Sequence, residues 1–481
     1  MARSRPLARL AAVVAALLVG GACASGSDSD SADSIVDDGP PRGVVIDYGV
    51  APEVPDDPLA PDVAEAVEQL FGERFEVGLT SADREAFSVL ALSGDARLAW
   101  IISDLMRVAQ DPVLLRNAPP SAGANRLTVQ DLSFAASELT GFSFSPTPSL
   151  WNQLTNALLA WDLPAPPGYL AAKRNIYTAV EPAWEPLLAD GSAIDWRLVS
   201  WGGVLIDDRP FGSTDDACNC IPAADNPPVQ TADDASWLAD DAVVFGVVIN
   251  GEARAYPRRI MEVREMVNDT LGGRDIALPY CTLCGSAQVW FTDDLPDGVE
   301  RPVFRTSGLL SRSNKVMYDL NTQSIFDTFL GTADSGPLHE LGISLTGHPI
   351  VTSTWGAWVE EHPDTTVLVE RLALGRDFDF RNGRDAAGPI FPIGQVDPRL
   401  AIQEDVLGIV RQDGRPLAVH VDTAAASLER GEDVVIDGIS IVLAGDGLQA
   451  LDEAGEELTT HQAFWFAWSQ FHPLTEIWPP R

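Results

Sequence analysis

The 481-residue chain is poor in cysteine, with five, and in histidine, with six. It is poor too in positive charge: 32 Lys and Arg stand against 70 Asp and Glu, a formal net charge of −38. Binding a phosphate backbone needs a basic surface, so this balance argues against nucleic acid as a partner. An acidic surface keeps a protein solvated and draws counter-cations. Beyond the N-terminus no apolar run approaches the ~20 residues of a membrane-spanning helix. There is no P-loop, dinucleotide fingerprint, His-Glu-x-x-His motif or nucleophile elbow. No general acid and base pair stands out, which weighs against hydrolysis. Four of the five cysteines fall in two close pairs, and each pair calls for a role.

The N-terminus has the composition of a targeting segment. Arg3, Arg5 and Arg9 precede the short apolar stretch "AAVVAALLVGGAC". Length and flanks predict a signal peptide over residues 1–22. Cys23 follows Gly20, Gly21 and Ala22 and resembles the lipidated cysteine of a bacterial lipobox, with Gly20 where leucine is usual. The expectation is an exported lipoprotein held at the outer face of the cell membrane through Cys23, with plain secretion as the alternative. Cleavage removes three arginines and no acid, leaving 29 − 70 = −41. Residues 23–59 are rich in Ser, Asp, Gly and Pro and read as a disordered acidic tether.

Residues 60–205 carry apolar positions at three-to-four spacing and predict a helical domain. Ser81 and Asp83 are candidate helix starts, with a break at Gly94 and Asp95. Trp100, Trp151 and Trp161 read as core. From about 240 the pattern turns to strands. "VVFGVVINGEARAYP" places Asn250–Gly251 between two apolar runs, a hairpin signal. "RDIALPYC" reads as a strand ending at Cys281. An internal repeat follows: "VFGVVINGEARAYP" echoes "VLGIVRQDGRPLAV", and "TWGAWVEEHPDTTVL" echoes "FWFAWSQFHPLTEIW". The chain is therefore expected to be an α+β multidomain protein. The helical N-terminal domain precedes two repeated β-rich lobes with short helices, 206–370 and 401–481, joined by a linker at 371–400. The second lobe lacks the cysteine pair of the first, so the architecture does not require it.

The segments "NGEARAYP", "VNDTLGG", "PYCTLCGSA", "SGLLSRSNKVMYD", "HPDTTVL", "DPRL", "VLGI" and "FWFAWSQFHP" together resemble the DUF3179 family of exported bacterial and archaeal proteins. "YLAAKRNIYTAVEP" and "WGGVLIDD" extend the likeness, which covers about residues 165–478. It implies an exported protein and names no activity. The sequence departs from the family pattern where Val263, Arg264 and Glu265 replace Trp-His-Glu. It departs again at "LSRSN" (310–314) and "SIFDT" (324–328).

Cys281-Thr-Leu-Cys284-Gly285 matches half of a tetrahedral metal site, which Cys218 and Cys220 could complete for zinc or copper. The histidines His339, His348, His362, His420, His461 and His472 are substitute ligands, although the repeat makes His362 and His472 structural caps. Outside the cytoplasm the four cysteines could instead form disulfides between the pairs, or Cys281 and Cys284 could exchange electrons with a partner. Ser307, Ser311, Arg312, Ser313, Asn314 and Lys315 form a polar stretch. It either lines a pocket in which Arg312 and Lys315 bind an anion, or is a hairpin loop with Lys315 in solvent. Two functions stand open: a ligand-binding or assembly module stapled by cysteines or metal, and a redox or copper- and thiol-handling accessory. The protein or small-molecule partner is undefined.

Overall fold

The computed structural model describes residues 40–73, 75–76, 78–108, 126–145, 149–214, 218–370 and 389–480. The expected signal peptide and Cys23 lie outside them. A helical N-terminal region, about residues 61–184, is followed by a β-rich region of five sheets arranged as a five-bladed β-propeller-like ring.

Two helices of the first region open in the same way. Thr80 and Thr128 cap Ser81–Ala91 and Val129–Thr140, each in a reciprocal capping box with an aspartate, Asp83 or Asp131. The box satisfies amide donors that a helix start leaves unpaired. The break expected near Gly94 is present: Gly94 takes a positive φ, and Asp95 caps the short turn that leads into Ala99–Val108. Trp100 and Trp151 are buried, as expected of core residues.

A buried polar cluster joins this region to the sheets. The Asp104 carboxylate accepts Lys173 Nζ at 2.8 Å and the hydroxyls of Tyr169 and Tyr177 at 2.8 and 3.0 Å. Lys173 Nζ also donates to the carbonyl of Val199, at the start of the strand Val199–Trp201. That strand, placed in the helical domain by its sequence, pairs with Phe304–Ser311 and belongs to a sheet. Arg107 lies over the rings of Trp151, Trp201 and Phe391 at 4.7, 5.2 and 5.4 Å. A guanidinium stacked among aromatic faces adds attraction where water is excluded.

The described parts of two expected linkers, 40–59 of the tether and 389–400 of the second linker, are packed rather than free; residues 23–39 lie outside the described residues. In the segment read as tether, Gly43 N–H donates to Pro398 and Ala401 N–H to Pro41. Val54 and Leu59 pack against the helical core. In the segment read as a linker, Asn156 Oδ1 accepts the amides of Ile393 and Gly394, and the Phe391 ring meets Trp151. Both segments carry apolar side chains, and burying them offsets the entropy of ordering the chain. The rest of the expected linker, 371–388, lies outside the described residues.

The sequence repeat is a repeat of sheet topology. In the first lobe, Val243–Ile249 and Glu252–Pro257 form the hairpin, Val351–Thr354 pairs antiparallel on one side and Thr366–Leu368 parallel on the other. In the second lobe, Asp405–Val410 and Pro416–His420 are flanked by Thr460–Phe464 and Glu476–Trp478 with the same polarities. The helices Trp355–Glu361 and Trp465–Phe471 bridge the outer strands. Trp358 lies on Gly246 and Trp468 on Gly408, and each indole N–H donates to a threonine, Thr365 or Thr475. His362 and His472 cap the two helices with their rings 4.1 and 4.0 Å from those tryptophans, the structural role expected of them. Each lobe adds a second sheet, around Arg274–Cys281 and Ile439–Ala444. The second expected lobe is therefore two sheets, whereas the first also contains three strands of the fifth sheet, Phe304–Ser311, Asn314–Asp319 and Ile325–Asp327, which Val199–Trp201 joins from outside it.

A Cβ at Gly246 would lie 2.3 Å from Trp358, and one at Gly408 would lie 2.1 Å from Trp468. Gly246→Ala and Gly408→Ala should each cost about 1–3 kcal/mol of stability, measured by chemical denaturation, because the ring cannot withdraw without opening the lobe.

His461 is buried against Trp468 and Phe329, and burial, aided by nearby His472, holds its imidazole down at about 3. Burial holds His472 at about 4. Unfolded histidines bind protons near 6.5. Between about 6.5 and these lower values the unfolded chain therefore binds more protons, and stability falls as pH drops through that window. His461→Phe should lose less stability than the wild type between pH 6.5 and 4 in matched thermal melts.

Candidate functional site

The strand Arg274–Cys281 runs into a tight turn in which Cys284 N–H donates to the Cys281 carbonyl at 3.1 Å. Gly285 leaves the turn with φ +61°, and its Cα faces the Phe464 ring so closely that a Cβ would lie 3.0 Å from it. Phe464 N–H donates to the Cys284 carbonyl at 2.8 Å. The second lobe thus clamps the cysteine turn of the first.

The clamp sets the two sulfurs side by side. Cys281 and Cys284 are unbonded, with Sγ to Sγ 2.8 Å. A disulfide would need them about 0.8 Å closer. The environments differ. Both are buried, but Cys281 lines a cavity of about 500 Å³ and Cys284 does not. Cys284 Sγ lies 3.4 Å from Asn314 Oδ1 and 3.5 Å from the Ser313 carbonyl. Burial, reinforced by the neighbouring Cys281 sulfur and the Glu265 charge, pushes the Cys284 thiol well above the usual range.

Lys315 stands on the same wall. It is buried, and its ammonium donates to the carbonyl of Glu265. Burial lowers it to about 8, against the opposing attraction of Glu265 and Cys281. Glu265 has a left-handed backbone at φ 50°, and its carboxylate accepts the Thr282 hydroxyl at 3.0 Å. Val263, Arg264 and Glu265, where the sequence departs from the family pattern, all line the cavity. So do Ile390 and Phe391 from the expected linker, whose apolar "PIFPIG" was the one sequence signal that it would be buried.

The second cysteine pair opens onto this cavity too. Cys218 and Cys220 are bonded to each other. This corrects two expectations. No disulfide links the pairs, and a four-cysteine metal site lacks two of its thiolates. Cys281 and Cys284 alone supply two sulfurs, short of the four ligands of structural zinc. Among the described residues no three His, Cys, Asp or Glu side chains are grouped to hold a metal ion. None of the six histidines lines the cavity.

The polar stretch 307–315 belongs to a hairpin, as one of the two readings had it, and most of it is strand. Only Arg312 and Ser313 form the turn, both with positive φ. Ser307 lies within a strand, its hydroxyl donating to the Val316 carbonyl at 2.6 Å. Lys315 is buried, against the expectation of a solvated lysine. Ser311, Arg312 and Asn314 line a second cavity of about 280 Å³, which Lys315 also reaches. Arg312 donates to the Gln470 carbonyl at 2.9 Å. Asp195, Asp327 and Asp334 share that cavity, and Asp327 is pushed up to about 7 by burial and by Asp334. Three carboxylates beside two cations do not make a site selective for anions.

Residues 218–452 match the family described as a protein of unknown function, DUF3179. The chain carries a DUF3179 domain. No curated protein and no solved structure matches the chain. The DUF3179 domain begins at Cys218 and contains both cysteine pairs, Lys315 and Glu265, whereas Phe464, which clamps the turn, lies beyond it.

Lys315 is the cation beside Cys281, and a cation favours negative charge on a neighbouring sulfur. Lys315→Met should slow alkylation of Cys281 by iodoacetamide at about pH 7.5 by roughly 10-fold, measured by mass spectrometry of the labelled peptide.

Proposed function

We propose that the DUF3179 domain of this protein is a thiol–disulfide exchange module working outside the cytoplasm. The observation that carries this reading is the asymmetry of the free pair: adjacent sulfurs, both buried, with Cys281 alone lining the cavity. An exchange pair needs that arrangement, an accessible thiol to attack and a shielded one to resolve.

Cys281, as thiolate, attacks one sulfur of a disulfide held in the cavity. The disulfide bond breaks, a mixed disulfide forms on Cys281, and the departing sulfur takes up a proton. Cys284 loses its proton and attacks Cys281 Sγ, which forms the Cys281–Cys284 disulfide and releases the second substrate thiol. Two electrons pass to the substrate. Run in reverse, the same steps oxidise a dithiol. Lys315, held near 8, can take the Cys281 proton and return it to the departing sulfur. A cavity of about 500 Å³ is within the range that holds a small organic molecule or a few peptide residues. Anchorage through a lipid on Cys23 would keep the module at the outer membrane face, where disulfides persist.

Glutathione disulfide tests the reading. The wild-type protein should release two glutathione thiols per chain and end with a Cys281–Cys284 disulfide, and Cys281→Ser should release none. If glutathione disulfide leaves both wild-type thiols untouched while the folded protein still binds small molecules in the cavity, the domain is a binding module.

A further inference from the structure

The Cys218–Cys220 bond does not do what a structural disulfide does. A disulfide stabilises chiefly by closing a long loop in the unfolded chain. This one joins residues two apart and cross-links no separate elements. The backbone around it is already held without the bond: Leu205 N–H donates to Asn219 at 2.9 Å, and the Thr306 hydroxyl donates to the Ile221 carbonyl at 2.7 Å. Both cysteines are only half-buried. Both line the cavity that Cys281 lines, and that cavity is walled largely by apolar side chains such as Leu309, Leu310 and Phe391. One chamber therefore contains a disulfide with solvent access and an unbonded thiol backed by a second thiol.

We infer that Cys218–Cys220 is the internal exchange partner of Cys281–Cys284, so that the chain is a two-stage relay between a half-exposed disulfide and a buried dithiol. This rests on the exchange reading of Cys281 and Cys284 and names their first substrate. Cys281 thiolate attacks the Cys218–Cys220 bond at either sulfur, which forms one interpair bond and releases one thiolate. Cys284 then attacks Cys281, and the second thiolate is released. The bond has moved from 218–220 to 281–284, and the two protons from Cys281 and Cys284 end on Cys218 and Cys220. No outside oxidant or reductant enters the step. The exposed pair, now a dithiol, can meet a protein or small-molecule disulfide outside the cavity, which the buried Cys284 cannot reach.

The test uses the full exported chain carrying Cys284→Ser, kept without added thiols, quenched in acid, and mapped by mass spectrometry. Without a resolving thiol, a covalent bond between Cys281 and Cys218 or Cys220 should accumulate as pH is raised from about 7 to about 8.5. It should be absent when Cys281 is also serine. The wild type, quenched in the same way, should contain a fraction of chains with the bond on 281–284 and free thiols at 218 and 220. This second measurement holds even if the variant folds poorly. The relay is overturned if Cys284→Ser keeps an intact 218–220 bond with Cys281 free, and the wild type has its bond on 218–220 alone. If Cys281 in that same variant still forms an adduct with glutathione disulfide, the relay fails and the exchange reading stands. If it does not, both fall.

Discussion

The β-rich region depends on one contact made twice: a tryptophan laid on a glycine. Trp358 on Gly246 and Trp468 on Gly408 bring the helix of each lobe onto the strand of its hairpin. From that seat the chain can return only one way, and the strand after the helix pairs parallel to the hairpin's second strand in both lobes. The indole N–H, buried by the contact, is satisfied by a threonine four residues past the end of the helix. A polar group left alone there would cost about as much as a lost hydrogen bond. The histidine caps complete the corner, and burial lowers the pKa of the His472 ring.

The candidate site is a consequence of how the second lobe meets the first. Phe464 precedes the second of those tryptophan helices, and it presses on Gly285 while its amide takes the Cys284 carbonyl. The cysteine turn cannot relax outward, so its two sulfurs remain together. Lys315 reaches the same wall because the hairpin turn at Arg312–Ser313 uses only two residues, which puts the next residues of the strand in the core. Burying that lysine costs solvation. It is met by the Glu265 carbonyl and by the charges of Glu265 and, when ionised, Cys281. A buried cation between a carboxylate and a thiol is an expensive arrangement to keep for stability alone.

Much of the fold was legible in the chain. The helical region, the hairpin at Asn250–Gly251, the strand ending at Cys281 and the repeat of the two lobes follow from local periodicity and turn chemistry, which act over a few residues. The segment 307–315 was harder. Its polar residues suggested a turn wider than two residues because the partners that bury Ser307, Asn314 and Lys315 lie on other strands and segments: Val316 across the hairpin, Thr328 and Glu265. The expected tether and linker misled for a related reason, since Pro- and Gly-rich composition hides the few apolar side chains that dock.

By itself the sequence determined which residues are the candidates for chemistry: two cysteine pairs, one at Cys-x-Cys and one at Cys-x-x-Cys spacing, and a strand that ends at one of them. Only the tertiary structure decided how they pair, which pair remains free and which sulfur meets the cavity. Spacing constrains what a residue can reach along its own turn. Burial and partnership are set by chain segments tens to hundreds of residues away, and here the deciding neighbours are Phe464 from the other lobe, Glu265 from the end of the helix Arg258–Arg264 and Lys315 from the strand Asn314–Asp319.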